Sequence, residues 1–344
     1  MASPVSRTLA GRAFTIAALA GAVGIGSYSM VAENGTREQP QAESSTTATK
    51  ETSISETPTT FTTADQGSCL TWEVKDDGSI SNFEQADCEG PHRFEVALRE
   101  DLGTYPTSEF GPDAAMPSQT RQAQLREELC GAATVRYLDG KYDPNGRYSI
   151  APILPPASAW EKGDRTMLCG LQETDRNGEL VFTSGYVADQ DQARVFETGE
   201  CLTIDAANTL TPVECAEPHQ LEITATVDLK PVFADHTPNV DEQDAHLGDV
   251  CTAAAQDYLG GEENLYQIGL DPFWTTQRTE AWEGGSRSVN CALVAPREGG
   301  QFAELVGSAV DGREHLLIDG AAPPEQPDRR PLREASEQPP AAAQ

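Results

Sequence analysis

Every cysteine in this chain falls into a pattern that occurs twice. Cys69-Leu70-Thr71-Trp72 opens one segment, which runs through Cys88, Pro91-His92 and Leu129-Cys130 to Trp160-Glu161, Gly163, Arg165 and Cys169. Cys201-Leu202-Thr203-Ile204 opens the other, which runs through Cys215, Pro218-His219 and Val250-Cys251 to Trp282-Glu283, Gly285, Arg287 and Cys291. Adding 122 carries Trp160 to Trp282, Arg165 to Arg287 and Cys169 to Cys291, while the Pro-His pair aligns at 127. Offsets that drift in this way mark loops of unequal length between matched elements. A period above about 100 residues marks duplicated domains rather than the short units of a solenoid. The expected boundaries are 67–192 for the first domain and 198–318 for the second.

Within each copy the hydrophobic pattern predicts strands and one helix. Phe94-Glu95-Val96-Ala97-Leu98 and Leu221-Glu222-Ile223-Thr224-Ala225 alternate as half-buried strands do, which puts Glu95 and Glu222 on a solvent-facing side. Leu125, Leu129, Ala132, Ala133 and Leu138 recur at helical spacing, as do Leu247, Val250, Ala254 and Leu259. Gly140 and Gly260 follow as stops. Further strands are expected at Tyr148–Ala151, Met167–Leu171 and Val181–Thr183, and in the second copy at Tyr266–Gly269, Val289–Leu293 and near Leu305-Val306. The expected fold class is α+β: two tandem homologous domains, each a small antiparallel sheet with one main helix and two disulfides, behind an N-terminal transmembrane helix.

The eight cysteines read as a disulfide framework in an exported chain. Four cysteines per copy allow three connectivities. Sequential pairing is expected, Cys69–Cys88 and Cys130–Cys169, then Cys201–Cys215 and Cys251–Cys291. The first two cysteines of a copy flank an apparent hairpin, and the third lies on a helix that covers the strand of the fourth. A zinc reading rests on Cys88-x3-His92 and Cys215-x3-His219, but no C-x-x-C pair occurs. No metal and no cofactor are expected.

Residues 13–32 are uncharged and follow Arg7 and Arg12. Twenty residues of helix span about 30 Å, the thickness of a bilayer core. A single-pass anchor at 13–32 is expected, with 1–12 in the cytoplasm and the remainder outside. A cleaved signal peptide, with Ser27-Tyr28-Ser29 as its processing site, is the alternative. Residues 33–66, rich in Ser, Thr and Pro, read as a disordered stalk, and 319–344, rich in Pro and Ala, as a disordered tail. The formal net charge of −31 argues against nucleic acid as a partner.

His92 and His219 are the most chemistry-like positions. Yet no G-x-S-x-G occurs and no orienting acid is in view, so bracing of a local turn is the simpler role. Trp160, Arg165, Trp282 and Arg287, together with the two histidines, form a candidate binding surface, because Trp and Arg are favoured at binding hot spots. The competing role for each Trp is to fill a small core.

The string C-L-T-W, then C-x-x-P-H-x-F/L-E, a helix with Cys and Tyr-Leu, and A-W-E-x-G-x-R-x-x-x-C resembles the septum formation domain, a family of actinobacterial envelope proteins. The resemblance covers about 69–171 and 201–293. It implies a non-enzymatic, membrane-anchored extracytoplasmic protein of the bacterial cell envelope, linked to septum formation and cell division. The partner it implies is an envelope or division protein or a cell-wall component. It supplies no catalytic residues. An extracytoplasmic enzyme acting on wall peptides or glycans is the alternative. In the second copy Ile204 stands where the first has Trp72.

Overall fold

The structure, a computed structural model, describes residues 60–327 apart from 76–79, 106–107, 176–177 and 208. In the first half, β1 (Cys69–Val74), β2 (Ile80–Ala86) and β3 (Phe94–Asp101) are followed by helices α1 (Gln119–Leu125) and α2 (Gly131–Tyr137), joined through a π-helical stretch over Arg126–Cys130. Then come β4 (Tyr148–Ile153), the short α3 (Ala157–Trp160) and β5 (Thr166–Glu173). The five strands form one antiparallel sheet in the order β2-β1-β3-β5-β4.

The second half contains β6 (Cys201–Ile204), β7 (Leu210–Val213), β8 (Leu221–Asp228), α4 (Val240–Leu259), α5 (Glu262–Ile268), β9 (Asp271–Trp274), α6 (Thr279–Glu283) and β10 (Ser288–Val294). Its sheet runs β7-β6-β8-β10-β9, the same order strand for strand. The two central strands even carry a bulge at matching positions, Ala97 in β3 and Thr224 in β8. A two-stranded ribbon, β11 (Leu305–Val306) with β12 (Leu317–Ile318), closes the second half.

Each sheet is covered on both faces. In the first half, Leu70, Trp72, Phe94, Val96 and Leu168 pack on one face with Ala64 and Phe61. Leu125, Cys130, Trp160, Met167 and Cys169 fill the other, beneath the helices. Glu95 lies on that helical side and is 1 % exposed, and Glu222 in the second half is 0 % exposed. The expected solvent-facing placement of both glutamates is therefore corrected. Strict alternation marks two faces, but a helix has covered the face that alternation alone reads as wet.

All four sequential disulfides are present, with Cα separations of 5.0–5.2 Å, inside the usual range. Helix α4 starts with a capping box between Asn239 and Glu242, and ends at Gly260 with φ 78°.

Three further expectations change. Tyr266–Gly269 is not a strand, because α5 occupies Glu262–Ile268 and stops at Gly269 with φ 73°. Leu265 and Ile268, at helical spacing, pack into the core beside Ala255, and the strand comes later as β9. Val181–Thr183 forms no continuous strand: Thr183 makes a single bridge to His92, and exposed Phe182 lies under the Arg93 guanidinium at 3.9 Å. The ordered core also reaches beyond both expected boundaries. Arg99 donates to the Ala64 and Thr62 carbonyls, and Tyr266 donates to the Pro327 carbonyl at 3.0 Å. The expected anchor at 13–32, most of the stalk at 33–66 and the end of the 319–344 tail lie outside the described residues. Among the described residues no helix is long and apolar enough to cross a membrane.

The halves meet through a buried polar joint. Ser286 Oγ donates to Asp143 Oδ2 at 2.6 Å, Asp143 N donates to Gln192 Oε1 at 3.0 Å, and Gln192 Nε2 donates to the Lys141 carbonyl at 2.7 Å. Arg287 N donates to Asp191 Oδ1 at 2.8 Å. A Cβ on Gly284 would meet the Tyr142 carbonyl at 2.8 Å, so glycine permits this approach. Asp143→Ala leaves the fully buried Ser286 hydroxyl without its acceptor. The expected cost is about 1–3 kcal/mol. Urea unfolding measures it, and a change under about 0.5 kcal/mol, the usual scatter of a neutral surface substitution, rules the joint out as a source of stability.

Candidate functional site

The turn after each second cysteine delivers a histidine to the sheet. His92 exchanges backbone hydrogen bonds with Thr183, and His219 exchanges them with Leu305. Gly185 N donates to the Cys88 carbonyl, as Gly307 N does to that of Cys215, so the same loop is held in the same way twice. Both imidazoles are 0 % exposed.

Each ring has a defined tautomer. Nδ1 of His92 lies 3.0 Å from the Gly90 carbonyl, and Nδ1 of His219 lies 2.9 Å from that of Glu217. A carbonyl only accepts, so Nδ1 carries a proton, and in the tautomer protonated there Nε2 holds the lone pair. Neither Nε2 has a hydrogen-bond partner. Each histidine belongs to a cluster with one sulfur and one carboxylate: Cys69, His92 and Glu95 in the first half, and Cys201, His219 and Glu222 in the second. The contact atoms in each cluster all lie within 4.8 Å of one another.

The carboxylates are oriented from behind. Tyr137 Oη donates to Glu95 Oε1 at 2.7 Å, and Val187 N donates to Oε2 at 2.8 Å. Tyr258 Oη donates to Glu222 Oε1 at 2.6 Å, and Ala309 N donates to Oε2 at 2.7 Å. Ser308 adds a third donor in the second half. Burial, then the hydrogen bond to the carboxylate, pushes both tyrosines well above the usual phenol range. Glu95 and Glu222 are functional candidates that sequence reasoning missed. The signal was a C-x3-H-x2-E spacing common to both halves, Cys88 to Glu95 and Cys215 to Glu222.

Trp160, Arg165 and Trp282 are buried in the fold, and Arg287 is half-buried. The Arg165 guanidinium lies 4.1 Å from the centroid of the Trp160 ring, and it donates to the carbonyls of Phe110, Trp160, Gly111 and Pro112. The planar guanidinium here gathers several backbone carbonyls at once. Arg287 is half-buried over Trp282 and donates to the carbonyls of Trp282 and Ser286. Burial holds both guanidiniums below their usual pKa.

An open groove of about 720 Å³ lies along the connector between the halves. Arg147 and Arg194 flank it with Glu173, Asp175, Glu197 and Glu200, over a floor that includes Phe196. Arg147 pairs with Glu173 at 3.1 Å, and Arg194 donates to the Thr174 carbonyl at 3.1 Å. None of these residues is among the motifs that recur in the sequence, because the groove lies where the first half ends and the second begins.

The chain is 39% identical over 272 residues to an uncharacterized membrane protein of Mycobacterium tuberculosis, in the sequences of strains CDC 1551 and H37Rv alike. The match covers 78% of this chain and 59% of the relative, so the chain spans well under two thirds of its relative's length. No solved structure matches it. The family model described as Septum formation matches residues 66–291, a span that takes in both sheets and all eight cysteines, and the chain belongs to that family.

Proposed function

We propose that the protein is a membrane-anchored, extracytoplasmic and non-enzymatic binding protein of the bacterial cell envelope, acting in septum formation, and that its two halves are tandem copies of one unit. The family match and the membrane-protein relative support the envelope assignment. Four disulfides support an oxidising compartment. The shared strand order and matching bulges support duplication.

One observation carries the binding reading over the enzymatic alternative. The reactive-looking side chains are sealed in the core, His92 and His219 at 0 % exposure, while the open groove is lined by anchored, mixed charges. A general base must reach the proton it abstracts, and these imidazoles face no open cleft. A groove with arginines beside carboxylates suits a partner surface of mixed charge, such as a peptide or protein segment.

A photo-crosslinking residue at Glu197, exposed in the groove, tests this in dividing cells, with exposed Asp241 on α4 as control. The expected result is an adduct with an envelope or division component at Glu197 and not at Asp241. Arg194→Glu, which reverses one charge of the lining, reduces that adduct at least about tenfold, as a lost interfacial charge contact does. Equal labelling at both positions, or none at Glu197, overturns the groove as the binding site.

A further inference from the structure

We propose that each half holds a latent tetrahedral site for a divalent metal ion, closed by its short-loop disulfide and opened by reduction of that bond. The ligands are Cys69, Cys88, His92 and Glu95 in the first half, and Cys201, Cys215, His219 and Glu222 in the second. The buried Nε2 of each histidine is the observation that points to a ligand, since it is unpartnered on a ring that has a nitrogen within 4.8 Å of both the sulfur and the carboxylate. A metal-binding imidazole needs its other nitrogen fixed by a backbone carbonyl, which Gly90 and Glu217 supply. A ligating carboxylate needs its own donors, and Tyr137 with Val187, or Tyr258 with Ala309, supply those. This outer shell is complete in both halves, residue for residue.

The disulfide is the lock. Its sulfurs carry no negative charge and are poor ligands, whereas thiolates bind zinc-like ions strongly. A dithiol reductant supplies two electrons and two protons, breaks the S–S bond and leaves as its own disulfide. The two thiols formed then give up their protons as the metal enters. Zinc bonds of about 2.0–2.3 Å put tetrahedral donors roughly 3.3–3.8 Å apart, so the three groups already within 4.8 Å of one another need only a short inward movement, and the second sulfur joins them once its bond is broken. Absence of a C-x-x-C pair argued against zinc on spacing, but β3 and β8 supply the fourth ligand as a glutamate. The second half opens first, because Cys215 is partly exposed where Cys88 is buried.

Cobalt(II) titration of the full-length protein under argon, with a phosphine reductant, reads the site through thiolate charge-transfer and tetrahedral ligand-field bands. Two cobalt ions per reduced chain are expected, and no thiolate band in the unreduced protein. His92→Ala with His219→Ala weakens binding at least about tenfold, the size of a lost contribution to such a site. That dependence separates these sites from thiols freed at the other two disulfides. Cys88→Ser with Cys215→Ser frees Cys69 and Cys201 without reductant and keeps the helix-to-sheet disulfides intact, so unfolding on reduction does not obscure the outcome. A cobalt–thiolate band in that variant supports the site. Its absence there, or unchanged binding in the histidine variant, overturns it.

Discussion

Glu95→Leu or Glu222→Leu lowers unfolding stability by about 2–5 kcal/mol, the range for two or three donors that lose their common acceptor. Leucine fills much of the space but accepts nothing. Val187 N–H or Ala309 N–H then remains in the core without its acceptor, and the half-buried Tyr137 hydroxyl, or those of Tyr258 and Ser308, lose theirs. Each buried donor left unsatisfied costs about 1–3 kcal/mol. Glu95→Gln keeps a carbonyl for one donor, and its expected loss is smaller, about 1–2 kcal/mol. Urea unfolding of the oxidised protein measures both. A leucine variant within about 0.5 kcal/mol of the parent means that the glutamate does not hold the sheet to its helix, because a neutral surface position behaves in that way.

The same glutamates show where sequence reasoning stops. Strands β1, β3 and β5 and their counterparts were legible, because period-two alternation and cysteine spacing are local signals. The disulfide pairs followed from the same signals, since a helix one layer above a strand brings Cys130 over Cys169 and Cys251 over Cys291. Whether the polar face of β3 meets water depends instead on the long-range placement of α2, which no local pattern in Phe94–Leu98 reports. Tyr137 and Tyr258 recur with the glutamates in both halves, and that pairing was the available clue. The α5 helix was misread because its four apolar-containing residues Tyr266–Gly269 are too few to separate period 2.0 from 3.6. The joint was invisible for a different reason. It pairs Asp143 with Ser286 and Gln192 with Gly285, and neither Asp143 nor Gln192 belongs to the motifs that recur in both halves. Motifs common to both halves carry no signal of how the halves touch.

Removal of the long-loop disulfides separates covalent support from side-chain packing. Cys130→Ala with Cys169→Ala, and Cys251→Ala with Cys291→Ala, are each expected to cost about 4 kcal/mol, because they release loops with sequence separations of 39 and 40 residues. The short-loop pairs, with separations of 19 and 14 residues, are each expected to cost about 3 kcal/mol. Against a domain stability of about 5–15 kcal/mol, loss of both long-loop bonds leaves the helices held to their sheets by packing alone. Non-reducing urea unfolding of each double variant gives the order. A larger loss for the short-loop pairs contradicts the chain-entropy account and makes those bonds the structural ones. The expected order has the opposite consequence. The bond nearest His92 and Glu95 is then the less costly to open, which is the property a reducible site requires, while the bonds under α2 and α4 keep the scaffold standing as it opens.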